Sequence, residues 1–240
     1  DFDIIAIFGA DHIYRMDLQQ MIDFHIRKRA DVTISGLPVP LKEASSFGVI
    51  QVQEKQRVTG FKEKPIRPKP IPGRSDEAFA SMGNYLFNKD VLIELLYEDA
   101  ADVESSHDFG KDILPRIFNK SRVFAYDFRR NHIPGLTKKE IGYWRDVGTI
   151  KAFWEANMDL RSVKPEFNLY NKKWPVRTAS YGTPPAKFVF NEDGRRGQAI
   201  DSIIAEGSII SGGIVQDSVI GREVSIDSGA TVINSLLMDR

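Results

Sequence analysis

The chain has 240 residues, 42% of them hydrophobic and 28% charged, with 33 basic against 33 acidic side chains and no cysteine. That is the make-up of a globular protein. Zero net charge argues against a general nucleic-acid binder while leaving room for a local basic cleft, and the lack of cysteine excludes a disulfide scaffold and cysteine metal sites and is compatible with a reducing, cytoplasmic setting. No apolar run approaches the roughly 20 residues of a membrane helix, and no signal peptide is visible.

The apolar run that closes residues 3–8 suits a strand buried on both faces of a parallel sheet. A chain that opens inside such a strand is expected to lack its true N-terminus. Asp17 can cap a helix in which Leu18, Met21, Ile22 and His25 follow at helical spacing. "DVTISGLPV" (31–39) reads as the next strand, so the opening has an α/β signature. Two alternating runs in "GVIQVQEKQRVTGFKEKP" (48–65) flank a polar turn and predict a β-hairpin. "SMGNYLF" (81–87) is a further strand. Asn88 or Asp90 then starts a helix with Val91, Leu92, Leu95 and Leu96 on one face. "VFAYDF" (123–128) and "GYWRDVG" (142–148) read as strands, and Thr149 caps the helix "IKAFWEANMDL".

The texture changes after residue 163. A Pro-, aromatic- and Lys-rich stretch with little periodicity reads as a linker that packs on something, because Trp174 and Phe188 would be wasted in solvent. In the last forty or so residues Ile204 and Ile210 stand six apart, as do Ile220, Ile226 and Val232, with Gly and Ser between. One aliphatic per six residues suits a parallel β-helix, one face per hexad. The chain stops after few coils, so the C-terminus is also expected to be incomplete.

Asp11 follows directly on the first strand. In open α/β sheets ligands bind beyond the carboxyl ends of strands, and Mg²⁺ favours one or two protein carboxylates plus substrate phosphates. Asp146 stands at another strand end before a helix, and two such carboxylates could grip one ion. For each, a turn or capping aspartate is the plainer alternative. In "FKEKP" (61–65) strand alternation sends Glu63 and Lys64 to opposite faces, although a bend before Pro65 could bring both inward. On the residues alone a solvated surface pair is the better reading. "SSHDFGKD" (105–112) invites a Ser-His-Asp triad, but its residues are consecutive and no Gly-x-Ser-x-Gly elbow surrounds a serine. Asp108 instead suits a helix cap, with Phe109 covering apolar surface.

"GADHIYRMD", "EASSFGVIQV", "FKEKP", "SMGNYLF", "SSHDFGKDILP", "YWRDVGT" and "WPVRT…PPAKF" occur in this order. Together they resemble the bacterial ADP-glucose pyrophosphorylases, the glucose-1-phosphate adenylyltransferases, over essentially the whole chain. The strand–Asp and Glu-Lys-Pro motifs are common to sugar nucleotidyltransferases, whereas "SHDFGKD", "WRDVGT" and "WPVRT…PPAKF" are specific to this branch. The resemblance implies an α/β, Rossmann-like sugar nucleotidyltransferase domain, N-terminally incomplete, over residues 1–163. A packed linker over 164–198 and the start of a left-handed parallel β-helix over 199–240 would follow. It implies that ATP and glucose 1-phosphate give ADP-glucose and pyrophosphate with Mg²⁺, for glycogen biosynthesis, in a cytoplasmic and allosterically controlled homotetramer.

By the same resemblance Asp11 and Asp146 look like the metal-binding catalytic carboxylates, and Lys64 like the lysine that holds the sugar phosphate. Glu63 looks like its sugar-bonding neighbour, and Gly48 lets the backbone approach the glucose. Ser81, Tyr85, Asp108, Phe109 and Trp144 match positions that line the sugar pocket. Ala10 departs from the Gly that many relatives have there, with little effect expected. The family's Gly-Gly-x-Gly-x-Arg-Leu phosphate loop is absent from these 240 residues, and Gly212-Gly213 is no substitute. The segment alone is therefore expected to make no ADP-glucose, and to fold poorly because its first strand lacks neighbours. A sibling enzyme using UTP, dTTP or GTP remains open, since base selectivity lies mostly outside this segment. Retention of Asp11, Lys64 and Asp146 argues against a non-catalytic regulatory subunit, which is free to lose them. A β-helix acyltransferase would need a histidine in the repeats, and none of the four lies there.

Overall fold

The computed structural model describes residues 3–239. They divide into two compact units, one running to Ala10 and over Arg15–Ile133, the other comprising Asp11–Tyr14 and the chain from Pro134 onward. In chain order the elements are β1 (Ile4–Phe8), β2 (His12–Tyr14), α1 (Leu18–Lys28), β3 (Val32–Pro40), β4 (Val49–Val52), β5 (Val58–Lys62), β6 (Glu77–Asn88), α2 (Lys89–Ala100), β7 (Val123–Asp127), β8 (Trp144–Asp146) and α3 (Ile150–Leu160). Short β-helix strands follow.

The first unit is organised on β6. One edge of β6 pairs with β3 along nearly its whole length, and β3 pairs in turn with β7 in parallel. The other edge is shared: β4 takes Phe79 and Ala80, and β1 takes Asn84–Asn88. Between them Ser81 N–H donates to Gly48 O at 2.7 Å, and Gly9 N–H to Gly83 O at 3.2 Å. This sheet is mixed, which corrects the reading of β1 as a strand buried on both faces of a parallel sheet. β1 runs antiparallel to β6, and Ala6 and Phe8 are exposed. An apolar run reports on affinity for a core, not on strand direction, and so could not distinguish the two.

Each sheet face is covered largely as the periodicity predicts, although Leu96 of α2, expected on the packed face, is 43% exposed. Asp17 caps α1 by accepting from Gln19 N–H, and the buried Met21 and Phe24 pack on Leu86 and Tyr126. On the other face Leu92 and Leu95 of α2 join Ile34, Phe87 and Ile113. Full burial of side chains of this size stabilises by about 1.5–3 kcal/mol each.

The second unit holds the β2–β8 ribbon, α3 and the β-helix. Strands stack in parallel, with Ala199, Val215 and Val232 in one column and Ile204, Ile220 and Leu237 in another. A third column runs Phe188, Ile210, Ile226. Ile210, Val215, Ile220 and Ile226 form its buried interior. The predicted six-residue step is five from the first column to the second in every coil, Ala199 to Ile204, Val215 to Ile220 and Val232 to Leu237, and is five also from Ile210 to Val215. At the corner between the first two columns Ser218 N–H donates to Ser202 Oγ and Ser235 N–H to Ser218 Oγ, each at 3.1 Å, a ladder that satisfies backbone which no strand pairs. Phe188, expected to be covered, remains 46% exposed at the first strand of its column. The preceding stretch does pack: Phe167 and Asn171 are buried, and Asn171 donates to Pro134 O at 2.9 Å. Arg161, directly after α3, bonds Asp217 at 2.9 Å, and Trp154 Nε1–H donates to Asn234 O at 3.3 Å, so the helix lies along one β-helix corner.

Candidate active site

The second unit gathers the two carboxylates that the sequence singled out. In the antiparallel β2–β8 ribbon, His12 stands opposite Asp146 and Tyr14 opposite Trp144. Asp11 lies one residue before the ribbon, and its carbonyl accepts from Val147 N–H at 2.9 Å. Asp11, His12 and Asp146 each offer a ligand atom, all within 4.8 Å of one another. His12 Nε2 is 3.4 Å from Asp11 Oδ1, and its ring centroid is 5.0 Å from that of Trp144.

Gly148 is what allows the carboxylates to converge. A β-carbon there would stand 3.0 Å from both Asp11 Oδ2 and Asp146 Oδ1. Its N–H donates to Asp146 Oδ1 at 2.7 Å, which aims that carboxylate. Thr149 then caps α3, accepting from Ala152 N–H at 3.1 Å. Two exposed carboxylates held this close repel each other unless a cation lies between them. Two anionic oxygens in an open setting fit a hard divalent ion that takes its remaining ligands from water and substrate.

The first unit gathers the other group. Tyr85 on β6 is buried and hydrogen-bonded to Ser81, and its ring stacks on Phe109 at 5.8 Å with 19° between planes. Burial pushes the Tyr85 hydroxyl above its usual pKa, and the Asp108 and Glu63 carboxylates add to that rise, so all four polar groups face a common region. Gly48 is fixed by space: a β-carbon would come within 2.4 Å of Phe61 Cζ and 2.8 Å of Glu63 Oε2. β5 ends at Lys62, so strand alternation no longer governs Glu63 and Lys64. Lys64 has φ +41° and donates its N–H to Phe47 O at 3.1 Å, so the bend falls at the Glu-Lys pair itself. Asp108 caps the turn Phe109–Ile113 as expected, accepting from Gly110 and Lys111 N–H at 2.8 and 2.9 Å.

Residues 1–163 match the family model described as Nucleotidyl transferase. The chain belongs to the nucleotidyl transferase family. Residues 184–240 match the model described as GlmU-like, C-terminal hexapeptide, in agreement with the stacked parallel strands. Among similar proteins, a glucose-1-phosphate adenylyltransferase of Thermus thermophilus is 53% identical over 229 residues, covering 95% of this chain and 55% of the relative. One of Anaeromyxobacter dehalogenans is 51% identical, with 96% and 56% covered. One of Geobacter metallireducens is 51% identical over 240 residues, with 100% and 58% covered. The chain thus spans a little over half the length of these relatives. Nucleotidyl transferases generally use a divalent metal, which the Asp11–Asp146 pair suits. Among the described residues no helix is long and apolar enough to cross a membrane.

For this nucleotidyl transferase the structure therefore brings Asp11 and Asp146 together, with Trp144 on the same ribbon. It gathers Gly48, Glu63, Ser81, Tyr85, Asp108 and Phe109 in the other unit, with Lys64 next in chain to Glu63. Sequence reasoning missed Gly148 and Phe61. Gly148 is signalled only by its place two residues after Asp146. Phe61 resembles any strand aromatic until Gly48 is seen against its ring.

Proposed function

We propose that the protein to which this chain belongs is a glucose-1-phosphate adenylyltransferase, forming ADP-glucose and pyrophosphate from ATP and glucose 1-phosphate for glycogen biosynthesis. The observation that carries the reading is the convergence of Asp11 and Asp146 on the space left by Gly148. The substrate follows from the relatives' names. Asp11 and Asp146 would hold Mg²⁺, which when bound supplies charge neutralisation at the reacting phosphate. Lys64 is a compact cation for the phosphate of the sugar, and its left-handed backbone is the kind of strain that functional sites retain. Glu63, Ser81, Tyr85 and Asp108 offer acceptors and hydroxyls to sugar hydroxyl groups, with Phe109 as an apolar wall and Gly48 as the point of close backbone approach. The chemistry asked of these groups is positioning and electrostatic stabilisation, with no covalent enzyme intermediate.

The same reading puts the enzyme in the cytoplasm as a homotetramer under allosteric control, with the β-helix contributing to assembly. We keep the nucleotidyltransferase domain at 1–163, the linker from 164 and the β-helix over 199–240, with the strand Lys187–Val189 at the end of the linker stacking as the first rung of one column.

The test is pyrophosphate release by the chain in its full coding context, with glucose 1-phosphate, Mg²⁺ and each of ATP, UTP, dTTP and GTP in turn. Strong preference for ATP, abolished by Asp11→Ala, is expected. Preference for another nucleotide would move the protein to a sibling activity. No release with any nucleotide from a folded protein would overturn the enzymatic reading in favour of a regulatory subunit.

A further inference from the structure

Asp99 stands in the last turn of α2 with its side chain only 5% exposed. A helix C-terminus carries partial negative charge and disfavours a carboxylate, and α2 has no basic residue in that turn. Arg116 lies 3.6 Å from Asp99 but gives its shorter bond, 2.6 Å, to Asp102. Helix stability therefore does not explain the residue.

Both oxygens of Asp99 are spent on one loop. Ser105 Oγ–H donates to Oδ1 at 2.6 Å, and His107 Nδ1 lies 2.7 Å from Oδ2. The Ser105 bond first, and the His107 bond after it, hold the Asp99 carboxyl below its usual pKa. An ionised carboxylate only accepts, so His107 Nδ1 carries the proton. Ser105 Oγ in turn accepts from His107 N–H at 3.0 Å. His107 has φ +60°, an uncommon conformation for a residue with a side chain, and the bonds to Asp99 and Ser105 hold it there. The next residues are also held: Ser106 and Asp108 N–H donate to Asp112 Oδ2 at 3.2 and 3.1 Å. Immediately beyond come the Asp108 cap and the Phe109 ring on Tyr85. A chain of bonds thus runs from a buried carboxylate on a rigid helix to two side chains of the candidate sugar pocket.

We propose that Asp99, acting through Ser105 and His107, is a positioning carboxylate that fixes the loop 105–109 and thereby sets affinity for the sugar phosphate without entering the chemistry. This rests on the reading of Asp108 and Phe109 as sugar-pocket residues.

The experiment is steady-state kinetics on the full-length enzyme, varying glucose 1-phosphate and ATP separately. Asp99→Asn keeps the shape but removes the charge, so that one of two strong charge-assisted acceptors becomes an amide and the bonds to Ser105 and His107 weaken. It is expected to raise KM for glucose 1-phosphate about tenfold while kcat and KM for ATP stay within about twofold. His107→Gly removes the imidazole and relieves the positive φ, so it keeps the fold should Asp99→Asn lose it. The same selective rise is expected. His107→Asn puts an amide N–H where Nδ1 stood and tolerates positive φ, and is expected to restore near-native KM. An unchanged sugar-phosphate KM in folded Asp99→Asn or His107→Gly protein would overturn the proposal. So would a His107→Asn variant no better than His107→Gly. Phe109→Ala separates the two levels of inference. If it raises KM while the Asp99 and His107 variants do not, only the anchoring role fails. If it too leaves KM unchanged, the reading of the loop as a sugar-pocket wall fails, and the anchoring role with it.

Discussion

Asp11 and Asp146 are exposed side chains at the ends of a ribbon three residues long, aimed by backbone bonds and by the gap at Gly148. Tyr85 and Ser81 stand on a twelve-residue strand, and Tyr85 packs among Phe87 and Phe109 with 7% of its surface exposed. On the function proposed above, the difference follows from what each group does. Two like charges that must share an ion cannot be buried against hydrocarbon without a large desolvation penalty, so their geometry is imposed by the main chain. A pocket that must match the outline of an uncharged ring can draw its shape from packing. Damage to the carboxylate pair should therefore abolish chemistry and spare the fold, whereas damage to the other group should weaken sugar binding first.

The sharpest break is Asp146→Asn. Turnover should fall about a thousandfold, while the melting temperature holds or rises because one of two repelling charges is gone. A collapse of the fold in thermal melts would mean that the ribbon depends on that carboxylate structurally. Gly148→Ala comes next. Its methyl group would meet Asp11 Oδ2 and Asp146 Oδ1 at 3.0 Å each, so each oxygen must give by a few tenths of an ångström, and a shift smaller than the 1 Å that costs about a hundredfold should slow turnover about tenfold. Titration with Mg²⁺ should show weakened binding in parallel, and native affinity would disprove the shared-space argument.

Gly48→Ala addresses the packed group. Its methyl group would lie 2.4 Å from Phe61 Cζ and 2.8 Å from Glu63 Oε2, so KM for glucose 1-phosphate should rise about tenfold with smaller change in kcat. Adding Phe61→Leu should recover part of the loss, and no recovery would shift the blame to Glu63.

The smallest effect concerns a carboxylate kept for stability alone. Asp31 takes the backbone N–H of Arg122 at 2.7 Å and its guanidinium at 2.8 and 3.3 Å, tying the start of β3 to that of β7. Burial acts to raise its pKa, but the bonds from Arg122 outweigh it and the net shift is downward. A carboxyl lowered in the folded state stabilises above its unfolded pKa, about 4, and loses that contribution as pH falls through the folded value. Asp31→Asn should cost about 1 kcal/mol or less at neutral pH, given the exposed guanidinium, and the gap in melting temperature from the parent should close below about pH 4. A gap that persists in acid would assign the effect to packing.

Much of this is legible in the sequence because periodicity and capping report locally. The face Met21–His25 of α1, the caps at Asp17 and Thr149 and the hairpin turn near Lys55 follow from spacing and side-chain chemistry. The direction of β1 does not, because pairing with β6 is a contact across eighty residues that hydrophobicity does not encode. The ribbon strand β2 is too short to show a period. Among site residues Asp11 and Asp146 stand out as carboxylates at strand ends, but their common dependence on Gly148 is a fact of space rather than of pattern. Asp99 has the sequence of an ordinary helix residue, and only its partners in the 105–107 loop set it apart.

The β-helix corner at Asn191–Arg196 has one more consequence. Lys187 pairs with Ile209 and Ile209 with Ser225, steps of 22 and 16 residues, so the first coil accommodates extra chain as a small antiparallel hairpin without shifting the columns above it. Its tip at Gly194 points into open space. That tip is accordingly the natural graft point for a peptide tag or fluorophore, and a label placed there would report on the protein's tumbling and association.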